Sequence, residues 1–546
     1  MPSRFQSALR RTLTLWLLLA PFTIFALEKP ATPVPADFEQ LLQQGYRYEQ
    51  SGDWSRAVQL YENAAKANPS SQLLKERLQH CTVRYGLTRR YHDSSYRKRM
   101  LALPRGQAIK LYDEVLRRIE DSYVESVSVS KLFRSGIEEI LIALEDPQFL
   151  QANLRQDAIE QVGPFRDWLR QWRTVAPRDR PEACRHAMTV ANQADEWMGM
   201  AITPLLLEFT YGACDALDEY STCLTPDRLT DLYAVIDGNF VGIGVELKSD
   251  DEGLLIVGTL PGSPAAEAGL RGGDHIVAID NVPTIGLPIE SAANRLQGAE
   301  GTPVNIWIVS VGDQQSRRLT LKRRSVEVQS VIGSQLISPS EGIGYLHITG
   351  FQKSTVSELE RAVASLQHRG MRSLIVDLRG NPGGLLTSAV DISDRFLPDG
   401  VIVTTRGRAE GQTQSYRSQR SNTWRFPLVL LVDGDSASAS EILAGAIQDN
   451  QRGTIVGVRS FGKGSVQSIF PLDTVEAGIR LTTAKFYSPR GRAYSNQGVR
   501  PDIEVPGETA LRTAISAGAP PDPASDRQLA AAVQASRQLL SRRLTN

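Results

Sequence analysis

Two patterns of hydrophobic and polar residues divide the chain near residue 238. Before it, apolar residues recur every three or four positions, as in residues 108–124 and 134–146, and this spacing predicts amphipathic helices. After it, short runs rich in β-branched residues alternate with glycines, which is typical of strands joined by turns. The pattern therefore predicts a multidomain protein of the α+β and α/β classes with a helical N-terminal region.

The first 27 residues combine basic side chains with a short apolar run. Arg4, Arg10 and Arg11 precede the run at residues 13–26, and a Pro-rich linker follows at residues 28–36. The run is shorter than the ~20 residues that a transmembrane helix needs, so residues 1–27 indicate a secretory signal, with an uncleaved membrane anchor as the alternative. We therefore expect the protein in the periplasm or the cell envelope.

Residues 37–90 have the spacing of a helical hairpin similar to one tetratricopeptide repeat. Its small and large positions are Leu41, Gly45, Tyr48, Gly52, Ala57, Tyr61, Ala64 and Pro69. A single repeat cannot bury both of its faces, so we expect it to pack on the helices of residues 91–230. These helices contain no motif for catalysis. We interpret the whole helical region as a scaffold and as a candidate surface for an adaptor protein.

Residues 238–325 predict a compact β-rich module. Residues 261–284 (PGSPAAEAGLRGGDHIVAIDNVPT) resemble the core of PDZ domains, and residues 240–247 (FVGIGVEL) resemble their carboxylate-binding loop and the strand after it. Glycines let backbone N–H groups converge on a carboxylate, and an edge strand can pair with an extended peptide. We predict that protein C-terminal tails bind this segment, with a purely structural β-domain as the alternative; the predicted binding residues are Phe240, Val241, Gly242, Ile243, Gly244 and Val245.

Residues 326–506 alternate predicted strands with predicted helices, which indicates βαβ units and a largely parallel sheet. Three loops follow three of these strands: RGNPGG (379–384), DGDSASAS (433–440) and RSFGKG (459–464). The carboxyl ends of parallel strands meet at one edge of the sheet, where α/β proteins bind ligands. We therefore expect the three loops to converge there.

The Ser-rich loop lies at the start of a predicted helix. Serines at such a position usually cap the helix, and this is the expected role of Ser436 or Ser440. Ser438 is instead a candidate nucleophile, with the N–H of Ala439 stabilising an oxyanion. None of the six histidines falls in a loop at this edge. Lys463 is then the candidate base, because burial favours a neutral amine, and an exposed turn lysine is the alternative.

Overall composition argues against several other functions. Lys+Arg and Asp+Glu both number 61, so no excess of positive charge points to a nucleic-acid-binding protein. Gly457, Gly462 and Lys463 match the first part of a P-loop, but Gly464 replaces the hydroxyl residue that would hold magnesium. No cluster has metal-ligand spacing, and the four cysteines are too few and too scattered for a disulfide framework, although they allow one bridge. We predict no metal and no organic cofactor.

Several motifs together resemble the carboxyl-terminal processing (tail-specific) serine peptidases. They are LDEYSTCLTPD, IGYLHITGFQ, LIVDLRGNPGG, LLVDGDSASASEILAGAIQD, VGVRSFGKGSVQ, LTTAKFYSPRGR and GVRPDIEV, and with the PDZ-like segment they cover residues 215–505. This sequence departs from the family at Asp433, where Asn is common, and at Glu219, which interrupts a usual Asp-Pro pair.

The resemblance implies a crotonase-like ββα peptidase core and a serine endopeptidase that forms an acyl-enzyme. It implies that Ser438 is the nucleophile, Lys463 the general base and Gln467 the side chain that orients the lysine. An oxyanion hole would combine Gly383 or Gly384 with Ala439. The alternative function is a non-catalytic binding scaffold on a peptidase-derived fold. The resemblance does not extend to residues 507–546, which we describe as a C-terminal appendage.

Overall fold

The structure is a computed structural model that describes residues 15–18, 38–250, 253–285, 287, 289–313, 315–507 and 522–545. Most of the predicted signal segment and the whole of the linker lie outside these residues. The described part of the signal segment forms a short strand, β1 (Leu15–Leu18). Within the described ranges, no helix is both long and apolar enough to cross a bilayer.

The helical prediction for the N-terminal region is confirmed. Its elements are α1 (Phe38–Gln50), α2 (Trp54–Ala67), α3 (Gln72–His92), α4 (Arg105–Ser122), α5 (Val129–Ala143), α6 (Pro147–Asn153), α7 (Val162–Arg170), α8 (Arg180–Met198), α9 (Ile202–Asp215), β2 (Thr222–Leu224) and α10 (Pro226–Asp237). In the first hairpin, Gly45 packs against Tyr61 so closely that a Cβ at Gly45 would lie 2.1 Å from the tyrosine Oη. Twelve consecutive residues of α9, from Thr203 to Cys214, are buried. The helical region therefore has its own extensive core.

The next module has a six-stranded antiparallel sheet, in which five strands have the order β4-β5-β6-β8-β9. Its elements are β3 (Asn239–Gly242), β4 (Val245–Asp250), β5 (Gly253–Thr259), α11 (Pro264–Glu267), β6 (His275–Ile279), β7 (Val282–Pro283), α12 (Ile289–Leu296), β8 (Pro303–Val309), β9 (Arg317–Lys322) and β10 (Arg324–Glu327). β7 pairs with β6, whereas β3 pairs with β10 outside this sheet. β4 therefore lies at an edge, immediately after the predicted carboxylate-binding loop.

The last part of the chain contains a six-stranded sheet with the order β11-β12-β13-β17-β18-β21. The elements of this part are β11 (Val331–Ser338), β12 (Ile343–Ile348), α13 (Thr355–His368), β13 (Ser373–Asp377), β14 (Gly384–Leu385), α14 (Leu386–Phe396), β15 (Val401–Gly407), β16 (Gln414–Arg417), β17 (Leu428–Val432), α15 (Ala439–Asp449), β18 (Thr454–Gly457), β19 (Ser465–Pro471), β20 (Gly478–Tyr487), β21 (Ile503–Glu504) and α16 (Arg527–Thr545). All neighbours in the sheet are parallel except β11 and β12. α13, α14 and α15 cover one face, and α16 covers the other.

A second, antiparallel sheet has the order β14-β1-β19-β20-β15-β16, with β2 also paired to β20. The strand SVQSIF therefore belongs to this second sheet. The reason is the short loop between β18 and β19, because two consecutive strands can be parallel neighbours only when a longer crossover joins them. The Lys463 loop thus passes from one sheet to the other. The predicted mixture of α+β and α/β architecture is confirmed.

Candidate active site

The three predicted loops meet at the carboxyl edge of the parallel sheet. The Ala437 N–H donates to Asn381 O at 3.0 Å, which joins the Ser-rich loop to the RGNPGG loop. The Phe461 N–H donates to Ser436 O at 3.0 Å, which joins the Ser-rich loop to the Lys463 loop. Backbone hydrogen bonds therefore hold all three loops together at one place, as their positions after parallel strands predict.

Ser438 lies between β17 and α15 in a backbone conformation that is rare for a residue with a side chain. Its φ is 60° and its ψ is −112°. Such a conformation costs about 1–3 kcal/mol and persists only where the surroundings impose it. The Oγ atom is buried and makes no hydrogen bond with any described residue. The turn therefore presents an unengaged hydroxyl at the first residue before a helix.

The two neighbouring serines do not cap α15, so that prediction is wrong. Ser436 Oγ donates to Leu378 O at 2.8 Å, and Ser440 Oγ donates to Asn381 O at 3.0 Å. Ser440 therefore binds the RGNPGG loop and Ser436 binds the residue before it, because the turn lies directly against this part of the chain. Ser438 occupies the N-cap position instead, without a hydrogen bond from its own side chain.

Lys463 is buried, with 2% of its surface exposed, so the alternative of an exposed turn lysine is contradicted. Its Nζ lies 4.4 Å from the centre of the Tyr220 ring and has no hydrogen-bond partner among the described residues. Burial holds the pKa of the amine well below its ordinary value, and Arg480 lowers this pKa further. Glu219 and Asp218 oppose the shift. The lysine is therefore placed to be a neutral amine.

Sequence reasoning missed Glu441, whose carboxylate joins the serine to the lysine loop. It accepts hydrogen bonds from the N–H groups of Ser438 at 2.7 Å, Gly462 at 2.7 Å and Lys463 at 2.9 Å, and from Ser460 Oγ at 2.6 Å. Burial raises its pKa to about 7, and these hydrogen bonds oppose the rise. Ser438 and Glu441 have the S-x-x-E spacing of a capping box, which was the available sequence signal.

Ser438 and Lys463 are close in the backbone but not hydrogen-bonded through their side chains. Their two N–H groups bind the same oxygen of Glu441, Oε2. Both Ser438 Oγ and Lys463 Nζ lack a partner among the described residues. His347, which lies on β12, binds Arg379 O through Nε2. No described histidine therefore engages the serine, as the sequence predicts.

Gln467 lies on β19, four residues after the lysine. Its Nε2 donates to Ser465 Oγ at 2.9 Å and to Thr482 Oγ1 at 3.2 Å. Its Oε1 is buried and has no partner among the described residues. The amide orientation is therefore fixed by two donated bonds, and its oxygen is left free to accept a proton donor such as a lysine ammonium.

The predicted oxyanion residues lie beside Ser438. A Cβ at Gly383, whose φ is +107°, would lie 2.7 Å from Ser438 Cβ, so only glycine fits there. The Gly383 N–H is already donated to Asn381 Oδ1 at 2.9 Å. Gly384 follows in β14, and Ala439 is the first residue of α15, where an N–H has no acceptor within the helix. The structure thus places Gly383 and Ala439 beside the serine, and Gly384 follows Gly383 in the chain.

β1 lies between β14 and β19 and is antiparallel to both. Leu18 is opposite Gly384, and Leu17 is opposite both Leu385 and Gln467. The two flanking strands are therefore separated by the width of one extended chain. This gap opens directly beside the candidate oxyanion and lysine-orienting residues.

A cavity of about 470 Å³ adjoins Lys463 on the side of the helical region. Its lining includes Tyr123, Glu125, Lys131, Asp218, Tyr220 and Lys463. Arg480 Nε donates to Tyr220 O at 2.9 Å and helps to hold that wall in place. The helical region is therefore more than a distant scaffold, because it encloses the candidate base.

The predicted peptide-binding residues Phe240–Val245 span the end of β3 and the start of β4. Gly244 has a φ of +75°, and a Cβ there would lie 2.2 Å from Ser263 Cβ. The Ala265 N–H donates to Ile243 O at 2.9 Å, which fixes the loop to α11. The role of these residues in binding stays a prediction. In the described part of the chain, no group of three metal-binding side chains was found.

Comparison with known proteins gives two family matches. Residues 342–505 match peptidase family S41, and residues 256–310 match the PDZ domain. The second match confirms the PDZ prediction.

Two curated relatives each match about half of the chain. A carboxyl-terminal-processing protease of Synechocystis sp. is 38% identical over 307 residues, which are 55% of this chain and 71% of the relative. A carboxy-terminal-processing protease of Bartonella bacilliformis is 36% identical over 295 residues, which are 53% of this chain and 67% of the relative.

Among solved structures, a photosystem II D1 C-terminal processing protease is 24% identical with a TM-score of 0.39, and the match covers 73% of this chain and 93% of that one. The assignment of this chain to a family rests on the two sequence relatives. This chain belongs to peptidase family S41 and is a PDZ-containing member of the carboxyl-terminal-processing serine proteases.

Proposed function

We propose that this protein is an extracytoplasmic serine endopeptidase that cleaves with a Ser438–Lys463 dyad. One observation carries the proposal: a buried serine hydroxyl and a buried lysine amine, both without partners among the described residues, lie on loops joined by a single carboxylate. An unpaired buried amine favours its neutral form, and a neutral amine is a general base. The basic and apolar N-terminal segment supports export to the periplasm or cell envelope.

The reaction begins when Lys463 Nζ accepts the proton of Ser438 Oγ as the oxygen attacks the scissile carbonyl. The oxyanion is stabilised by the N–H groups of Ala439 and of Gly384, or of Gly383 once that N–H leaves Asn381 Oδ1. The lysine ammonium, oriented by Gln467 Oε1, then gives its proton to the leaving amine, and an acyl-enzyme remains. A water molecule, deprotonated by the neutral lysine, hydrolyses the ester and restores the serine.

The PDZ domain captures the substrate. The loop before β4 receives the terminal carboxylate, and the tail pairs with the exposed edge of β4. The segment to be cleaved then lies extended between β14 and β19, where it replaces β1. This gap admits one strand and excludes a folded domain, so the substrate must be unfolded near its C-terminus.

The test uses an unfolded protein with an apolar C-terminal tail, incubated with the wild type and with Ser438→Ala. We expect new C-terminal fragments only with the wild type, and slower cleavage when the tail carries an amide instead of a carboxylate. Fragments are identified by mass spectrometry. Equal cleavage by Ser438→Ala would refute the dyad, and an equal rate on the amidated tail would refute capture through the carboxylate.

The pH dependence of kcat/KM provides a separate prediction. Lys463 must be neutral, so the rate should rise with pH, with an apparent pKa well below the ordinary lysine value of 10.5 because the amine is buried. Glu441, whose pKa is raised to about 7, gains a proton as pH falls and then loses acceptor capacity at the dyad. Both effects reduce activity on the acid side. An acid limb centred near 10.5 contradicts the prediction.

A further inference from the structure

The C-terminal helix α16 forms part of the peptidase core. Its apolar side, which includes Leu529, Ala532 and Val533, packs against the face of the parallel sheet opposite α13, α14 and α15. On the sheet side, the contact is made by Tyr345, Ile375, Leu431 and Val456. The helix therefore completes a three-layer α/β/α arrangement, and the sheet would expose an apolar face without it.

The start of this helix also carries a buried polar cluster. Asp526 Oδ2 accepts a bond from Arg379 Nη2 at 2.7 Å, and Gln528 Oε1 accepts one from Arg379 Nη1 at 3.1 Å. Arg379 also binds Asp377, at 2.6 Å between Nη2 and Oδ2. All four side chains belong to buried residues. Although burial raises the pKa of Asp377, Arg379 lowers it below its usual range.

Arg379 is the first residue of the RGNPGG loop. The next residue, Gly380, donates its N–H to Asp433 Oδ1 at 3.0 Å, which connects the loop to the turn before Ser438. The residue after Gly380 is Asn381, and its Oδ1 accepts the Gly383 N–H. A side chain of α16 is thus connected, through one arginine, to the loop that holds Gly383 beside the serine.

Simple cover of the sheet does not require these charges. An apolar helix face is enough for that purpose, and burying an arginine with two carboxylates is often no more stabilising than apolar packing. The ionic cluster also fixes the orientation of the Arg379 side chain, because planar guanidinium and carboxylate groups bind in defined geometry. Because Arg379 is the first residue of the RGNPGG loop, the cluster also fixes the start of that loop.

We propose that Asp526 and Gln528 are positioning residues for catalysis: from the far face of the sheet, they hold Arg379 so that the RGNPGG loop keeps its oxyanion groups in place. This inference rests on the proposed Ser438 mechanism. It assigns to the C-terminal helix a role in rate that is separate from its role in packing.

The experiment compares Asp526→Ala with Arg537→Ala in the full-length protein. Arg537 is a matched control because it lies on the same helix and forms an exposed pair with Glu341, which contributes little. For Asp526→Ala we expect kcat to fall roughly 10- to 100-fold, with little change in KM, because small displacements of catalytic groups have effects of this size. Asp526→Asn keeps an acceptor for Arg379 and should recover part of the loss.

A second readout is the rate at which a fluorophosphonate probe labels Ser438. If the wild type is not labelled at Ser438, the proposed function itself fails. If the wild type is labelled and cleaves, but Asp526→Ala matches Arg537→Ala in kcat and labelling rate, the positioning role is overturned. Should Asp526→Ala not fold, the kcat and labelling rate of Gln528→Ala are compared with those of Arg537→Ala instead, since Gln528→Ala removes only one of the bonds to Arg379.

Discussion

Replacing Lys463 by methionine is expected to lower kcat for tail cleavage by about 10²–10⁴-fold, the usual contribution of a general base. Methionine keeps an unbranched apolar stem of similar length in the buried site but has no proton acceptor of comparable strength. Because Nζ makes no hydrogen bond with the described residues, its removal leaves no donor or acceptor unpaired there. The folded state should therefore keep or raise its thermal midpoint while activity is lost.

Single-turnover cleavage and thermal unfolding, measured on the same preparations, check this prediction. Lys66→Met is the matched control, because Lys66 is exposed on α2 and pairs with Glu62, also on α2. The control should cleave at the wild-type rate. A Lys463→Met protein that forms the acyl-enzyme as fast as the wild type would remove the lysine from the mechanism and would favour a water or another group as the base.

The positions of Ser438 and Lys463 could be predicted because they depend on local rules. Each follows a strand of the parallel sheet, and parallel strands end at a common edge. The same rule placed Gly383 near them. The fold class followed from periodicity for the same reason, since the change from helical to strand spacing is visible along the sequence itself.

The surroundings of the lysine could not be predicted in this way. Tyr220 comes from a loop more than two hundred residues earlier, and its position depends on how the helical region packs on β20. Periodicity shows that a helix has an apolar face but not which surface that face meets. For the same reason α16 resembled an appendage in the sequence, although it covers one face of the sheet.

Glu441 shows a different limit of sequence reasoning. Its spacing from Ser438 is a capping-box signature, and the expected meaning of that signature is helix stability. In the structure Glu441 and Ser438 have the arrangement of a capping box, with Glu441 bound to the Ser438 N–H, but Ser438 Oγ makes no hydrogen bond with any described residue. The cap thus leaves the hydroxyl available, and the same carboxylate also binds the lysine loop.

Replacing Glu441 by alanine is therefore expected to reduce both stability and activity. Three N–H groups, those of Ser438, Gly462 and Lys463, would lose their acceptor. Each buried unpaired donor costs about 1–3 kcal/mol, so the free energy of unfolding should fall by several kcal/mol. The turn and the lysine loop would also separate, and we expect kcat to fall at least about 100-fold, since misplaced catalytic groups lose that much.

The loss of kcat must be separated from a general loss of stability. Asp179→Ala is the matched control, because Asp179 caps α8 by accepting the Glu182 N–H at 2.8 Å and belongs to none of the three loops at the dyad. It should lower the thermal midpoint without changing kcat. Glu441→Gln keeps one acceptor oxygen but turns an NH₂ group toward donors. Its kcat and its thermal midpoint should therefore lie between those of the wild type and of Glu441→Ala. If Glu441→Ala, measured well below its unfolding temperature, keeps the wild-type kcat, then the shared carboxylate stabilises the helix alone, and the alignment of serine with lysine must come from the backbone bonds between the loops.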